Sequence, residues 1–133
     1  KEVQTKEIIE AARTAGKKVF LPRINKGVIE VMNYKEDGRL IEGPYGIAEP
    51  EGNEVIDKKE IDMVIVPGIA FGKDGGRIGF GKGYYDHFLK GLDVFKIGIT
   101  FSGQVQETIP HETHDVNMDI IITEKEIIQM EDE

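Results

Sequence analysis

Residues 64–86 read VIVPGIAFGKDGGRIGFGKGYYD, and the fold and function predicted for this chain depend mainly on them. The apolar run at residues 61–66 is interrupted only by Asp62 and ends at Pro67, which is typical of a central parallel strand covered on both faces. Seven of the chain's 16 glycines follow in residues 67–83, and residues 83–91 have the spacing of a short helix. A strand, a glycine-rich loop and a helix in this order predict an α/β unit.

The glycine-rich segment has the features of an anion-binding loop. Glycine allows close approach of the backbone to a ligand, and successive exposed N–H groups before a helix can bind phosphate oxygens. Arg77 and Lys82 would add positive charge, and residues 67–91 as a whole contain four basic residues and two acidic ones. The segment therefore predicts a polyphosphate site, although a mobile surface loop with two incidental cations would also fit the pattern.

Two common phosphate-binding motifs are excluded by single residues. A P-loop would have Ser or Thr at the position of Gly83, where its hydroxyl binds magnesium. The dinucleotide-binding motif would have its third glycine at the position of Tyr84.

Composition limits the class of protein. The 133 residues fit one domain, and the absence of Cys excludes disulfides, thiolate metal sites and a cysteine nucleophile. With 17 basic and 25 acidic residues the net charge is −8, which argues against binding nucleic acid. No apolar run is long enough for a membrane span, and KEVQTKEIIE at the start has no apolar signal region. We therefore expect a cytoplasmic protein without nucleic-acid or membrane partners.

The rest of the chain alternates between helical and strand periods. A helix capped by Thr5 is predicted to run to about Ala15 and stop at Gly16, and a loop is predicted at residues 43–52. A terminal helical segment is predicted at residues 124–130. Strands are predicted at residues 17–22, 28–34, 95–101 and 118–123. This alternation predicts an α/β fold with a mostly parallel sheet.

Acidic residues near the glycine-rich segment are candidate magnesium ligands. Asp86 follows the segment in the first helical turn, where it could either bind magnesium beside a phosphate or stabilise the helix dipole. Asp115 precedes a strand and could complete the site, whereas Asp119 better fits a turn or a strand start. His111 and His114 are spaced three apart after Pro110, which does not favour zinc.

The motif from residues 66 to 86 strongly resembles that of the 5-formyltetrahydrofolate cyclo-ligase (methenyltetrahydrofolate synthetase) family. The family's Pro-Gly, glycine-rich turn and Arg-x-Gly-x-Gly-x-Gly-Tyr-Tyr-Asp occur here without a break. The resemblance continues at residues 2–5, 20–23 and 43–50, and at Gln104, residues 109–110, 114–115 and 118–119. It thus covers essentially all 133 residues, as one cyclo-ligase-like domain.

This resemblance implies a fold and a reaction. The fold is a three-layer α/β sandwich around a mostly parallel sheet, like the sugar-phosphate isomerase and CoA-transferase group. The reaction is the ATP- and magnesium-dependent conversion of 5-formyltetrahydrofolate to 5,10-methenyltetrahydrofolate, with release of ADP and phosphate. Phosphorylation of the formyl oxygen makes it a good leaving group, and a neighbouring folate nitrogen then attacks the activated carbon.

The resemblance also implies the site residues. Lys82 and Arg77 would be catalytic, with Lys82 stabilising the transferring phosphoryl group, and Asp86 and Asp115 would hold Mg²⁺. ATP would be bound by Arg77, Ile78, Gly79, Phe80, Gly81, Lys82, Gly83, Tyr84 and Tyr85. The reduced folate would contact Phe80, Gly81, Lys82, Gly83, Tyr84, Tyr45 and Gln4.

This sequence departs from the family pattern in two ways. Gln4 stands where an acidic residue is expected for folate recognition. Family members also usually begin with a further segment carrying a Lys-x-x-x-Arg pattern that contacts ATP and substrate, for which this chain has no counterpart. A folate- or nucleotide-binding module without turnover is therefore the alternative, and a nucleic-acid accessory domain is disfavoured by the net charge of −8.

Overall fold

The structure is a computed structural model that describes residues 3, 5–34, 40–42, 48–50, 55–79, 83–109 and 116–130. The chain divides into two compact units, one formed by Gln4–Glu60 and the other by Lys1–Val3 with Ile61–Glu133. In the described residues no helix has the length and apolar character needed to span a membrane.

Among its described residues, the Gln4–Glu60 unit contains one α-helix, a short 3₁₀ helix at Lys58–Glu60 and two antiparallel sheets. Helix α1 spans Lys6–Thr14. Strands β1 (Phe20–Asn25), β2 (Val28–Asn33) and β5 (Val55–Ile56) form one sheet in the order β1-β2-β5, and β3 (Leu40–Glu42) pairs with β4 (Ala48–Pro50). Ile29, Val31 and Met32 of β2 are buried.

The Ile61–Glu133 unit contains two further sheets and the second helix, α2 (Tyr84–Leu89). A small sheet has the order β10-β7-β8, from Val105–Gln106, Ala70–Gly72 and Arg77–Ile78. A larger sheet has the order β12-β11-β9-β6, from Ile127–Gln129, Ile120–Ile122, Phe95–Ile99 and Met63–Val66.

The four-stranded sheet positions the candidate site, because its parallel strands end at one edge. Strand β9 pairs in parallel with both β6 and β11, whereas β11 and β12 are antiparallel. The carboxyl ends of β6, β9 and β11 are followed by Pro67, Thr100 and Thr123. Ligands of open α/β sheets bind at such an edge.

Several sequence-based predictions agree with these elements. The α1, α2, β2, β9 and β11 elements lie where helices or strands were predicted, within two residues at each end. Gly16 follows α1 in a left-handed conformation with φ of 80°. The mixed α/β class is confirmed, but a three-layer sandwich with a mostly parallel sheet is not, since the sheets are partly antiparallel.

Other predictions were wrong. Thr5 occupies the N-cap position of α1, but its side chain makes no capping hydrogen bond. Strand β4 lies inside the predicted loop at residues 43–52, and β12 replaces the predicted terminal helix. Strand β6 is the last strand of its sheet in the described chain rather than a central one, and its Met63 is 52% exposed.

Candidate functional site

The glycine-rich segment predicted as a loop is largely a β-hairpin. After Pro67 and Gly68 the chain forms β7 and β8, which pair Phe71 with Arg77. Asp74 holds the turn between them, because one carboxylate oxygen accepts a hydrogen bond from the Gly76 N–H at 3.1 Å. The hairpin is therefore an ordered element that connects the carboxyl end of β6 to α2.

Glycines of this hairpin are required by close packing. A Cβ on Gly76 would lie 3.0 Å from Cβ of Ile109, and one on Gly72 would lie 2.9 Å from the Ile109 nitrogen. Ile109 is 2% exposed, so neither side can easily move. Gly83 differs, since a Cβ there would have no neighbour within 4 Å, but its φ of 68° favours glycine.

Arg77 lies at the centre of the site. Its side chain is only 3% exposed, and its Nη1 donates a hydrogen bond to the Pro67 carbonyl oxygen at 3.0 Å. Its Nη2 lies 3.7 Å from an Asp86 carboxylate oxygen, and its guanidinium carbon lies 5.7 Å from the centre of the Tyr85 ring. Arg77 thus joins the end of β6 to the first turn of α2, with a cation–π contact to the aromatic ring.

Two glycines make room for the Arg77 side chain. A Cβ on Gly68 would lie 3.0 Å from Cγ of Arg77, and a Cβ on Gly79 would lie 2.7 Å from its Nη1. A larger residue at either position would displace the guanidinium. These two glycines therefore allow the Arg77 guanidinium to occupy its position. This role adds to the exposure of backbone N–H groups that the sequence predicts for the segment.

Asp86 can supply one metal ligand. Its side chain is 35% exposed, and the 3.7 Å separation from Arg77 leaves carboxylate lone pairs free for other partners. Magnesium usually takes one or two protein carboxylates together with water and substrate phosphates, so one partly exposed carboxylate beside the predicted phosphate site is compatible with it. The described residues contain no cluster of three or more His, Asp or Glu side chains that could hold a metal on their own.

A second hydrogen-bonded group lies at the same edge of the sheet. Thr100 follows β9, is 3% exposed, and donates through Oγ1 to Oε1 of Gln104 at 3.0 Å. The Nε2 of Gln104 donates to the Ile69 carbonyl oxygen at 2.9 Å. The backbone between Pro67 and Ile69 is thus held by Arg77 and by Gln104. Thr100 was not among the predicted site residues, because no local sequence pattern marks this contact.

The end of β11 is joined to the segment after β9 by an ion–dipole contact. The Glu124 carboxylate accepts hydrogen bonds from the backbone N–H of Ser102 at 2.7 Å and from its hydroxyl at 3.1 Å. The backbone N–H of Ser102 is the main cause that lowers the pKa of Glu124.

A small apolar cavity of about 150 Å³ lies at this edge. Its walls come from the ends of β9 and β11 and from the first described residue of the chain: Val3, Ile99, Thr100, Phe101, Ile122, Thr123 and Glu124.

The structure places part of the predicted site together. Arg77, Tyr85 and Asp86 are in contact, and Ile78, Gly79, Gly83 and Tyr84 flank them along the chain. The remaining predicted residues lie outside the described part of the structure: Gln4, Tyr45, Phe80, Gly81, Lys82 and Asp115, as well as His111 and His114.

Comparison with known families gives one match over most of the chain. Residues 1–124 match the model of the 5-formyltetrahydrofolate cyclo-ligase family.

Individual relatives carry the same family name. A probable 5-formyltetrahydrofolate cyclo-ligase of Schizosaccharomyces pombe is 33% identical, over 97% of this chain and 72% of the relative. One from Caenorhabditis elegans is 34% identical, over 96% of this chain and 69% of the relative.

Solved structures agree with the sequence comparison. The NMR structure of Aquifex aeolicus 5,10-methenyltetrahydrofolate synthetase has a TM-score of 0.84 and 33% identity, covering 99% of this chain and 68% of that one. The synthetase of Mycoplasma pneumoniae has a TM-score of 0.69 and 27% identity, covering 91% and 65%.

Proposed function

Because the chain belongs to the 5-formyltetrahydrofolate cyclo-ligase family, whose named members are ligases, we propose that it closes the ring of 5-formyltetrahydrofolate at the expense of ATP. The products are 5,10-methenyltetrahydrofolate, ADP and phosphate. The family match over residues 1–124 is the observation that carries this proposal. The arrangement of Arg77, Tyr85 and Asp86 at the carboxyl end of β6 supports it.

The proposed reaction has two steps. The formyl oxygen attacks the γ-phosphorus of ATP, and the bond from that phosphorus to the bridging oxygen breaks to release ADP. The neighbouring folate nitrogen then attacks the activated carbon and loses its proton, while the carbon–oxygen bond breaks and phosphate departs. Such phosphoryl transfer depends mainly on positioning and on neutralising charge.

The main role of Arg77 would be to position the nucleotide-binding segment. Direct contact with the transferred phosphoryl group would be its smaller role. Its guanidinium is held by the Pro67 carbonyl, by Asp86 and by the Tyr85 ring, and it is 3% exposed. Arg77 would hold the end of β8 near the start of α2. Ile78 and Gly79 at the end of β8, and Gly83 and Tyr84 at the start of α2, would contact ATP. Phe80, Gly81 and Lys82 lie between these elements in the chain, and Lys82 would stabilise the phosphoryl group.

Magnesium, when bound, would neutralise phosphate charge. Asp86 would hold it, together with Asp115, and the 35% exposure of Asp86 beside the hairpin is compatible with this role. The reduced folate would contact Phe80 to Tyr84, together with Tyr45 and Gln4. We further propose one domain with a three-layer arrangement, acting in the cytoplasm on small-molecule substrates.

Turnover is tested by incubating the chain with 5-formyltetrahydrofolate, ATP and magnesium while following absorbance of the methenyl product and release of ADP. Calorimetric titration with ATP and with the folate runs in parallel. Product formation supports the proposal. Binding of both compounds without product favours a folate- or nucleotide-binding module, and binding of neither refutes both functions.

Lys82→Ala tests the proposed catalytic cation. We expect at least a hundredfold loss of turnover with little change in thermal stability, because charge neutralisation on the transferring group contributes on the order of 3–4 kcal/mol. Lys90→Ala is the matched control, since Lys90 is an exposed lysine at the other end of α2. Equal turnover of the Lys82 and Lys90 variants would contradict the role.

Asp86→Asn tests the proposed metal ligand. We expect weaker magnesium-dependent ATP binding, seen as a shift of the magnesium titration to higher concentration. Asp93→Asn is the control, since Asp93 is an exposed carboxylate in the segment after α2. A magnesium titration that is the same in both variants would count against Asp86.

A further inference from the structure

Residues 67–69 connect β6 to the hairpin and contact Arg77, and we call them the entry link. The Pro67 carbonyl oxygen accepts the hydrogen bond from Arg77 Nη1 at 3.0 Å. A Cβ on Gly68 would lie 3.0 Å from Cγ of Arg77, so the backbone and this side chain are in close contact. Since Arg77 Nη2 lies 3.7 Å from an Asp86 carboxylate oxygen, a shift of the entry link would change the charge distribution beside the proposed metal ligand.

Hydrogen bonds, more than side-chain packing, position the entry link. Gly68 has no side chain, and Ile69 is 47% exposed. Besides the bond from Arg77 to Pro67, the Ile69 N–H donates to the Ile78 carbonyl oxygen at 2.7 Å. Arg77 and Ile78 both belong to β8, so these two bonds move with the hairpin and do not fix it against the rest of its unit.

Gln104 provides a hydrogen bond from outside the hairpin. Its Nε2 donates to the Ile69 carbonyl oxygen at 2.9 Å, across 35 positions of the chain. Gln104 itself ends a 3₁₀ turn, Ser102–Gln104, where its backbone N–H donates to the Phe101 carbonyl oxygen at 2.9 Å. The Gln104 side chain therefore connects the entry link to the segment that follows β9.

The partners of the Gln104 side-chain amide fix its orientation. A carbonyl oxygen can only accept, so Nε2 must face Ile69, and Oε1 is then directed at the Thr100 hydroxyl, which donates to it at 3.0 Å. Thr100 is 3% exposed, and its backbone N–H donates to the Ile122 carbonyl oxygen at 3.1 Å. The orientation of the amide is therefore set by a residue that is anchored to the four-stranded sheet.

We propose that Thr100 and Gln104 are a positioning pair, which sets the entry link, and through it the Arg77 guanidinium, for nucleotide binding. The pair acts through the backbone of Ile69 and not through contact with the reacting atoms. This inference rests on the proposed function, because it concerns how the site is arranged for ATP and magnesium. Small displacements of groups that position a substrate have large effects on binding and turnover, so loss of the pair weakens ATP binding.

The first experiment uses Gln104→Glu in the 133-residue chain. This change keeps the side-chain shape and the acceptor for Thr100, but it places a carboxylate oxygen opposite the Ile69 carbonyl oxygen in place of the donor. We expect the dissociation constant for ATP with magnesium, measured by calorimetry, to rise about tenfold or more. Gln106→Glu is the matched control, since it introduces the same charge at an exposed residue two positions away, and its dissociation constant should stay within about twofold of wild type.

Substitutions at Thr100 separate positioning from stability, and they decide the question if Gln104→Glu does not fold. Thr100→Val removes the hydroxyl donor and should weaken ATP binding about threefold or more, whereas Thr100→Ser keeps the donor and should recover most of the affinity. Circular dichroism and thermal denaturation of each variant ensure that binding is measured on folded protein. A purely structural role would rank the ATP affinities of the variants by their stability and not by the presence of the hydroxyl group.

A second measurement follows Arg77 itself and needs no ligand. Hydrogen exchange of the Arg77 Nη protons, recorded by NMR, should be faster in Gln104→Glu than in wild type and unchanged in Gln106→Glu, because the bond to Pro67 depends on the entry link. Faster exchange together with weaker ATP binding supports the proposal.

The other outcomes overturn the positioning role. Equal ATP affinities of Gln104→Glu and Gln106→Glu, equal losses in Thr100→Val and Thr100→Ser, or weaker binding without a change in Arg77 exchange would each do so. Any of these results with a wild-type chain that binds ATP and forms product would refute the positioning role alone. A wild-type chain that binds no ATP would refute the proposed reaction and the positioning role together.

Discussion

The two faces of the four-stranded sheet are built from alternate residues of the same strands, yet their surroundings differ. One face, which we call the apolar face, carries Met63, Ile65, Phe95, Ile97, Ile99, Ile120, Ile122 and Ile127. On the opposite face, which we call the closed face, Val66 and Ile121 are 0% exposed. The Phe71 ring lies against Gly98 there, so close that a Cβ on Gly98 would be 2.5 Å from Phe71 Cε1. On the apolar face, Phe95 of the same strand as Gly98 is 44% exposed. Burial is therefore decided by the element that covers a face and not by the strand composition.

The element that covers the closed face is also the one that builds the candidate site. Phe71 on β7 is the register partner of Arg77 on β8. One hairpin thus places an aromatic ring in the core and a guanidinium beside Pro67 and Asp86. Core packing on the closed face and the geometry of the site are therefore coupled, whereas no such coupling is built into the apolar face.

The largest expected difference between the faces is at their phenylalanines. Phe71→Ala should lower the free energy of unfolding by about 3–5 kcal/mol, because it leaves a cavity at a fully buried position. Phe95→Ala should cost less than about 1 kcal/mol, because nearly half of its side chain is already in water. Urea denaturation of both variants measures the difference.

These two variants also test what covers the apolar face. If Phe95→Ala were as destabilising as Phe71→Ala, the apolar face would be covered in solution and the contrast between the faces would fail. Repeating the measurement at several protein concentrations separates cover by a second copy from cover within one chain.

A smaller effect is expected from adding one methyl group to the closed face. Gly98→Ala should destabilise by about 1–3 kcal/mol, because its Cβ would overlap the Phe71 ring, which has no space to retreat. Gly103→Ala is the control, since a Cβ there would have no neighbour within 4 Å. Similar denaturation midpoints for the two variants would mean that Phe71 does not pack against Gly98.

The positions of strands were predicted from the sequence more successfully than the order in which the strands pair in the sheets. The apolar run at residues 61–66 correctly predicted a strand, but its central position was wrong because pairing order depends on contacts far apart in the chain. The adjacent isoleucines at 127 and 128 fitted a helical turn as well as a strand. Pairing of Ile128 with Ile121 decides in favour of β12, and that contact is not visible in local periodicity.

The site was predictable where one continuous motif carries it. Arg77, Tyr85 and Asp86 lie in a single stretch, and the structure brings these three side chains together. The contact of Thr100 with Gln104, and of Gln104 with Ile69, joins residues up to 35 positions apart. Such contacts depend on the sheet order, so the sequence alone gave no reason to select Thr100.

A hydroxyl group in the buried region should contribute less than the aromatic packing. Thr100→Val removes the donor to Gln104 Oε1 while keeping the side-chain volume, and should cost about 1 kcal/mol. Thr100→Ser keeps the hydroxyl group and is the control. If Thr100→Val left the free energy of unfolding unchanged in urea denaturation while Thr100→Ser lowered it, packing of the methyl group and not the hydrogen bond would be the contribution of Thr100.

The smallest expected effect is at the exposed rim, where Glu124 accepts two hydrogen bonds from Ser102. These bonds hold the pKa of Glu124 below its ordinary value of 4.5, mainly through the Ser102 backbone N–H. Since the folded pKa lies below the unfolded one, the stabilisation is present above pH 4.5 and is lost as pH falls through the folded pKa.

Glu124→Gln should therefore lower the neutral limb of a plot of denaturation midpoint against pH and leave the most acid points nearly unchanged, so that the profile becomes flatter. Glu126→Gln, at an exposed glutamate two residues away, is the control and should leave the profile as in wild type. If both variants gave the wild-type dependence of the denaturation midpoint on pH, the Glu124 carboxylate would not stabilise the segment after β9. Packing alone would then determine the shape of the cavity end that Ile99 and Ile122 line. The water-accessible part of the apolar face would in that case extend to the ends of β9 and β11.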